Sequence, residues 1–438
     1  MRNSVTSMPP RVRITPLNPN HLPAAAAASM DQGWLTTHDW RARARALTPL
    51  LAAAAPRIDA AKALPADVQD ALFDAKMFRM LLPRSHGGAE LDIATFFEVI
   101  CAIAEGDASA AWSVAQSNGC AMAAAYMAPE AARQVFGPAR AVLSWGYPAG
   151  PCQMRPVEGG WRVSGSWGFG SGSRHSTWVG GHCQVQDAGG VVQKNAEGLA
   201  QERTALIPRA AITLTDDQWA VIGLRGTGSD SYAVKDLFVP AVLCIVPRAV
   251  GRDQQQAADA VIQTESERRE AGTLYRFSPT TVYQAGFAAV ALGIARAMLN
   301  SFITLAGQKT PSLGNQMLRD NSVIQTRVAN SEARLASMRA WLLQSLRESW
   351  DTCAAGGSHT FEDRVTLRLA STYAIREVRQ VAQDAYDDAG ATAIFETHPF
   401  ERRMRDMLAV TQQIQANPLH LQTAGQHYLG MKAGTRFI

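Results

Sequence analysis

The side chains best suited to chemistry in this sequence stand where glycines and hydroxyl residues alternate. From Gly159 to Gly172 the chain reads Gly-Gly-Trp-Arg-Val-Ser-Gly-Ser-Trp-Gly-Phe-Gly-Ser-Gly. Glycines at 165, 168, 170 and 172 strip one strand edge of side chains, and two readings stand. Either a flat aromatic ligand approaches the bare backbone and takes hydrogen bonds from main-chain N–H groups, or the glycines relieve crowding at a sheet corner. Gly226-Thr227-Gly228-Ser229 offers N–H groups and hydroxyls to an anion. It lacks the lysine and the strand-to-helix setting of a phosphate loop, and reads as a turn. His175 is poised either to donate to a ligand or to pack beside Trp178 with its ring satisfied by backbone. Arg402, Arg403, Arg405 and Asp406 form either an anion site or structural pairs at a helix terminus or subunit boundary. The 9 histidines show no HxxxH or HExxH and the 6 cysteines no CxxC, so no metal site is expected.

The elements that must position these residues come in three blocks. Residues 31–138 carry helical periodicity, with Leu47, Leu50, Leu51 and Ala54 on one face and two nearly all-round apolar stretches, Ile93 to Ala104 and Ala110 to Tyr126. These predict an N-terminal helical domain whose last two helices line a core or a pocket. Residues 139–248 turn to alternation, glycine clusters and β-branched runs, predicting a central β domain. A polar stretch over 249–277 reads as an exposed connection or lid. Residues 278–438 return to long Ala-rich helices, predicted at Val282 to Leu305, Met317 to Trp350, Phe361 to Ala389 and Phe400 to Gln415, the pattern of a four-helix bundle. The expected class is α+β and multidomain, and the absence of βαβ alternation excludes a doubly wound dinucleotide fold. Residues 1–30 are expected to be a flexible tail.

Forty-two basic against 38 acidic residues, with no long run of like charge, argue against nucleic acid as a partner. The longest apolar run, Ala285 to Ala295, falls short of the roughly 20 residues that span a bilayer. Scattered cysteines suit core packing in a reducing cytosol, so a cytoplasmic protein with no membrane partner is expected.

Four stretches taken in order resemble the acyl-CoA dehydrogenase superfamily, and more closely its branch of reduced-flavin monooxygenases. They are Leu82 to Asp92 with Gly106 to Trp112, Gly159 to Gly172, Gly223 to Ser229, and Arg402 to Asp406 with Gln412-Gln413 beyond. The match covers residues 40 to 430. The resemblance implies a central domain of β-barrel-like form between a helical domain and a four-helix bundle. It puts Phe169, Gly170 and Ser171 against the flavin N5 side, with Ser144, Trp145 and Gly146 covering the ring.

The same resemblance separates two chemistries. An acyl-CoA dehydrogenase needs a carboxylate base, which its commonest subgroup carries just past the Arg-Asp pair. Met407 to Pro418 contains no acid. A monooxygenase of this kind forms a C4a-hydroperoxide on reduced flavin and shields it from water in an apolar pocket. The family often places histidines where this chain has Gln413 and, on the helix after Trp112, Ser117 and Asn118. Glutamine and asparagine donate hydrogen bonds but shuttle no protons near neutrality. The implied catalytic set is Ser171, Gln413, Asn118 and His175, and the implied cofactor is reduced FMN or FAD. A separate flavin reductase, a small organic substrate oxidised at aromatic carbon or at nitrogen or sulfur, and a homotetramer built through the C-terminal helices complete the expectation. An acyl-CoA dehydrogenase-type activity and a non-catalytic flavin-fold subunit are the alternatives.

Overall fold

The computed structural model describes residues 37–194, 198, 200–215, 219–245, 268–312 and 314–431. The tail expected over 1–30 and most of the polar loop expected over 249–277, with its reading as a lid, lie outside the described residues.

Helices α1 (Thr37–Ala61), α2 (Ala66–Asp74), α3 (Ile93–Gly106), α4 (Ala108–Ala121) and α5 (Pro129–Phe136) come first. The break between α3 and α4 is encoded by Gly106-Asp107. A Cβ on Gly106 would stand 2.8 Å from Thr48 O of α1, so only glycine lets the helices meet there. Asp107 adopts extended backbone (φ −149°, ψ 128°), and its carboxylate accepts from Ala110 N at 2.8 Å to start α4.

The sheet follows: β1 (Leu143–Trp145), β2 (Tyr147–Pro148), β3 (Gln153–Val157), β4 (Gly160–Gly168), β5 (Trp178–Val185), β6 (Glu202–Pro208), β7 (Thr213–Leu214), β8 (Tyr232–Pro240) and β9 (Cys244–Ile245). Its order is β7-β8-β4-β3-β5-β6-β9, with β2 beside β4 and β1 beside β5. β1 and β3 both run parallel to β5, so the sheet is mixed. Inward side chains such as Met154, Val163, Trp167 and Tyr232 join Val135 and Phe136 of α5 in one buried cluster.

Helices α6 (Pro279–Ala306), α7 (Ser322–Ala354), α8 (Phe361–Ala389), α9 (Phe400–Thr411) and α10 (Leu419–Tyr428) complete the chain. Ser278 and Pro279 open α6, and a Thr360/Asp363 capping box opens α8 where periodicity predicts it. α7 begins later than Met317, because Asn321 accepts from Val323 N and caps it. The last predicted helix stops at Thr411 instead of Gln415, and α10 is an element the sequence reading did not anticipate. α6 is long and apolar enough to cross a membrane, yet 67% of its most apolar window is buried inside the protein, which makes it a core helix. All six cysteines are free and buried, and burial pushes the Cys120 and Cys244 thiols up to about 12. They are packing residues.

Candidate functional site

α4 packs against β1, against the 3-10 turn Arg225–Thr227 and against α6. Its Trp112 ring stacks on Phe287 of α6, with centroids 3.9 Å apart and 12° between planes. That clamp aims the indole N–H at Ser171 Oγ, 3.1 Å away. Ser171 sits on the turn after β4, where Phe169 (φ 58°) and Gly172 (φ 82°) both take left-handed backbone. The turn docks on the loop before β8. Gly170 N donates to Asp230 O (3.1 Å), Gly172 N to Thr227 O (3.0 Å) and Ser171 N to Phe169 O (2.8 Å). Gly146 N is likewise spent, on Tyr232 Oη at 3.0 Å.

Those bonds correct the expectation of a bare backbone offering N–H groups to a ligand: at 146 and 170–172 they serve the protein. The glycines answer to crowding. A Cβ would stand 2.1 Å from Gly168 O at Gly146, and 2.8 Å from the Tyr232 ring at Gly170 and from Cys152 Sγ at Gly165.

Beside the Ser171 turn, Ser117 Oγ of α4 and His175 Nε2 are buried, uncharged atoms without a protein partner, as are Ser113 Oγ elsewhere on α4 and Ser144 Oγ of β1. A Cβ on Gly172 would lie 3.1 Å from His175 Nε2 and 3.7 Å from Ser117 Oγ, so these two flank the Ser171 turn. His175 packs on Phe78, centroids 5.6 Å apart, and burial lowers it to about 4, leaving the ring neutral at physiological pH. Trp145 packs edge-on to His182 (5.4 Å) and its carbonyl takes Gln116 Nε2 at 3.4 Å. Phe169 meets Trp219 edge-on at 6.1 Å, with most of its own surface exposed.

Two expected catalytic residues have other work. Asn118 is fully buried, but its Oδ1 accepts from Leu81 N (3.0 Å) and its Nδ2 donates to Met77 O and Val114 O (both 2.8 Å). It braces α4 against the preceding segment, and both of its amide hydrogens are spent within the protein. Gln413 Oε1 accepts from Gln415 N at 2.7 Å and caps the turn after α9. No hydrogen bond among the described residues joins it to the Ser171 group. The buried glutamine of that turn is Gln415, whose Oε1 accepts from the buried Arg368. Sequence reasoning missed Ser113 and singled out Asn118 beside Ser117. The available signal was the i, i+4 spacing of Ser109, Ser113 and Ser117 along one face of α4.

The basic cluster is structural. Arg402 reaches Asp107 (3.3 Å) and Asp406 (4.0 Å), and Arg405 reaches Glu401 (2.7 Å) and Asp59 (3.3 Å). Burial raises Asp406 to about 7 against the pull of Arg402. Its Oδ1 accepts from Leu224 N at 2.7 Å, which pins Leu224 in left-handed backbone (φ 53°). No group of acidic, histidine or cysteine side chains able to hold a metal occurs among the described residues.

A hydroxyl edge around Ser171, the neutral partnerless Ser117 Oγ and His175 Nε2 beside it, and the rings of Trp112 and of Phe169 on the same turn fit the polar rim and flat ring of a flavin. Ser117 and His175 are the side chains that the structure brings to the Ser171 turn. Residues 38–141 match the family model described as acyl-CoA dehydrogenase, N-terminal domain, and residues 285–418 the model described as acyl-CoA dehydrogenase, C-terminal domain. The chain is 29% identical over 364 residues to an indole-3-acetate monooxygenase of Pseudomonas putida, covering 83% of this chain and 87% of that protein. It is 25% identical over 367 residues to the flavin-dependent monooxygenase oxygenase subunit HsaA of Rhodococcus jostii, covering 83% and 91%. XiaF from a Streptomyces species, solved in complex with FADH2 and glycerol, shares the fold with a TM-score of 0.80 and 20% identity over 91% of this chain and 96% of that one.

Proposed function

Because the chain belongs to the acyl-CoA dehydrogenase superfamily, whose N-terminal and C-terminal domains it carries in order, we propose that it is the oxygenase component of a two-component, reduced-flavin-dependent monooxygenase. It takes FMNH2 or FADH2 from a separate reductase and oxygenates a small organic substrate. The observation that carries this reading is the Ser171 site: hydroxyls, a neutral imidazole and aromatic walls, with no carboxylate among the groups that lack a partner.

Bound reduced flavin supplies the electrons that activate dioxygen and the site of oxygen transfer. The chain's own groups bind, orient and dry the reactants. Ser171 presents its hydroxyl at the centre, Ser144 and the α4 serines offer further hydrogen bonds, and Trp112 and Phe287 exclude water. His175 is neutral and a weak base. The site therefore suits transfer to an electron-rich ring or to nitrogen or sulfur, which needs no prior deprotonation of the substrate. An acyl-CoA dehydrogenase role is disfavoured, because Asp406 is engaged by Arg402 and Leu224 and no acid follows it to Pro418. By the same reading the chain assembles as a homotetramer through its C-terminal helices.

Anaerobic titration with reduced and with oxidised FMN and FAD, followed by oxygenation beside candidate aromatics, tests the proposal. Tight binding of reduced flavin with product formed only in oxygen is expected. Tightly held oxidised FAD, bleached by an acyl-CoA thioester without oxygen, would sink it.

A further inference from the structure

A row of hydroxyls runs from the centre of the site to one backbone carbonyl, and its two ends fix every proton along it. At one end Trp112 Nε1, which only donates, meets Ser171 Oγ at 3.1 Å. At the other, Leu224 O, which only accepts, takes Thr227 Oγ1 at 2.8 Å. Between them Ser171 Oγ lies 2.7 Å from Ser229 Oγ, and Ser229 Oγ lies 2.7 Å from Thr227 Oγ1. All three hydroxyl side chains are buried. Each brings one proton and two lone pairs. Thr227 spends its proton on Leu224 O, so Ser229 must donate to Thr227, and Ser171 must donate to Ser229. Any reversal sets two lone pairs face to face in a buried place. Ser171 is left with one lone pair and no proton for whatever lies on its open side. The terminal carbonyl is itself fixed, since Trp219 Nε1 also donates to it at 3.1 Å and Asp406 holds the Leu224 N–H.

We propose that Thr227 and Ser229 are positioning residues that lock the Ser171 hydroxyl as a hydrogen-bond acceptor, so that the site favours reduced flavin, whose N5 bears a proton, over oxidised flavin, whose N5 bears only a lone pair. This rests on the reading that flavin binds against Ser171. The preference is then a property of wiring two side chains removed from the ligand, and it gives the diffusible cosubstrate a reason to arrive reduced and leave oxidised.

The test measures the dissociation constants of oxidised and reduced FMN and FAD, under anaerobic conditions, for the full-length parent and for Thr227→Val, Thr227→Ser and Ser229→Ala. Thr227→Val ends the row one link early and frees the upstream hydroxyls to turn. The oxidised-to-reduced ratio of dissociation constants should fall at least tenfold in Thr227→Val and in Ser229→Ala. Thr227→Ser, which restores the hydroxyl, should return it to within about threefold of the parent. Each tenfold change should lower the midpoint potential of bound flavin by about 30 mV for this two-electron couple, a readout that a packing defect weakening both forms alike would not move. Thermal melts show which variants fold, and Ser229→Ala, which removes one oxygen atom, answers the question where Thr227→Val does not fold. A ratio unchanged in a folded break variant, or both constants rising together, would overturn the wiring while leaving the flavin site standing. A parent that binds neither redox form would overturn both readings.

Discussion

Ser113, Ser117, Ser144 and His175 place polar atoms in the interior without a protein partner, and leaving such a group unmet costs a folded chain about 1–3 kcal/mol. A ligand that meets them recovers that cost. Ser144→Ala should therefore leave the melting temperature unchanged or higher and weaken reduced flavin or substrate about tenfold, as thermal melts and anaerobic titration would show. A variant that lost stability and kept its affinities would make Ser144 a residue of the fold alone. His175 gives a pH test. Its folded value of about 4 lies below the ordinary 6.5, so the stability it contributes is complete above pH 6.5 and is lost as pH falls through about 4. His175→Gln should flatten that acid limb by on the order of 1–3 kcal/mol in urea midpoints compared between pH 7 and pH 4. Gln413→Ala should leave turnover and coupling within about twofold of the parent, because its side chain serves a local turn. The sequence made Ser171 and its glycines visible, since the motif is contiguous. It did not separate Ser117 from Asn118, because neighbours on a helix point about 100° apart and only the packed neighbours decide which faces the site.

At the scale of elements, the close approach of α3 and α6 depends on Gly293. A Cβ there would stand 2.5 Å from both Ala104 Cβ and Cys101 O. The carbonyl belongs to helix backbone and cannot swing away, so Gly293→Val should cost about 1–3 kcal/mol or more, read from denaturant midpoints. Gly425 is the control: a Cβ in α10 meets nothing within 4 Å. Gly425→Ala should be neutral or stabilise by up to about 1 kcal/mol, because alanine is the better helix former. Three long helices were legible from period and composition, and β4 from the alternation of Trp161 and Val163 with the polar Arg162 and Ser164. The end of α9 was not, since residues 412–418 change direction through a glutamine cap and a proline that no periodicity records. The two readings of the glycines could not be separated, because glycine looks the same in sequence whether a ligand or a tyrosine ring fills the space its side chain would occupy.

The whole molecule leaves Ile394, Phe395, Leu419, Tyr428, Leu429 and Met431 more than half exposed in its C-terminal region. Exposed apolar side chains, where they form a contiguous patch, mark surfaces that other chains cover. Light scattering of the full-length protein should give four times the chain mass, and Phe395→Glu combined with Leu429→Glu should shift it toward dimer or monomer. A parent that stays monomeric at micromolar concentration would remove the tetramer from the proposal. The bond from Leu224 N to Asp406 Oδ1 spans 182 residues of sequence, and it has a bearing on how the enzyme comes into being. Proteins are synthesised from the N-terminus, so the strands and the Ser171 turn emerge well before α9 does. Until Asp406 arrives, the Leu224 N–H has no carboxylate to hold it, and the carbonyl on which the hydroxyl row ends is anchored by Trp219 Nε1 and by Thr227. By the proposal above, a chain that ends before α9 lacks one of the bonds that fix Leu224 and the hydroxyl row that ends on it. The end of the chain thus helps to set the geometry proposed for its middle.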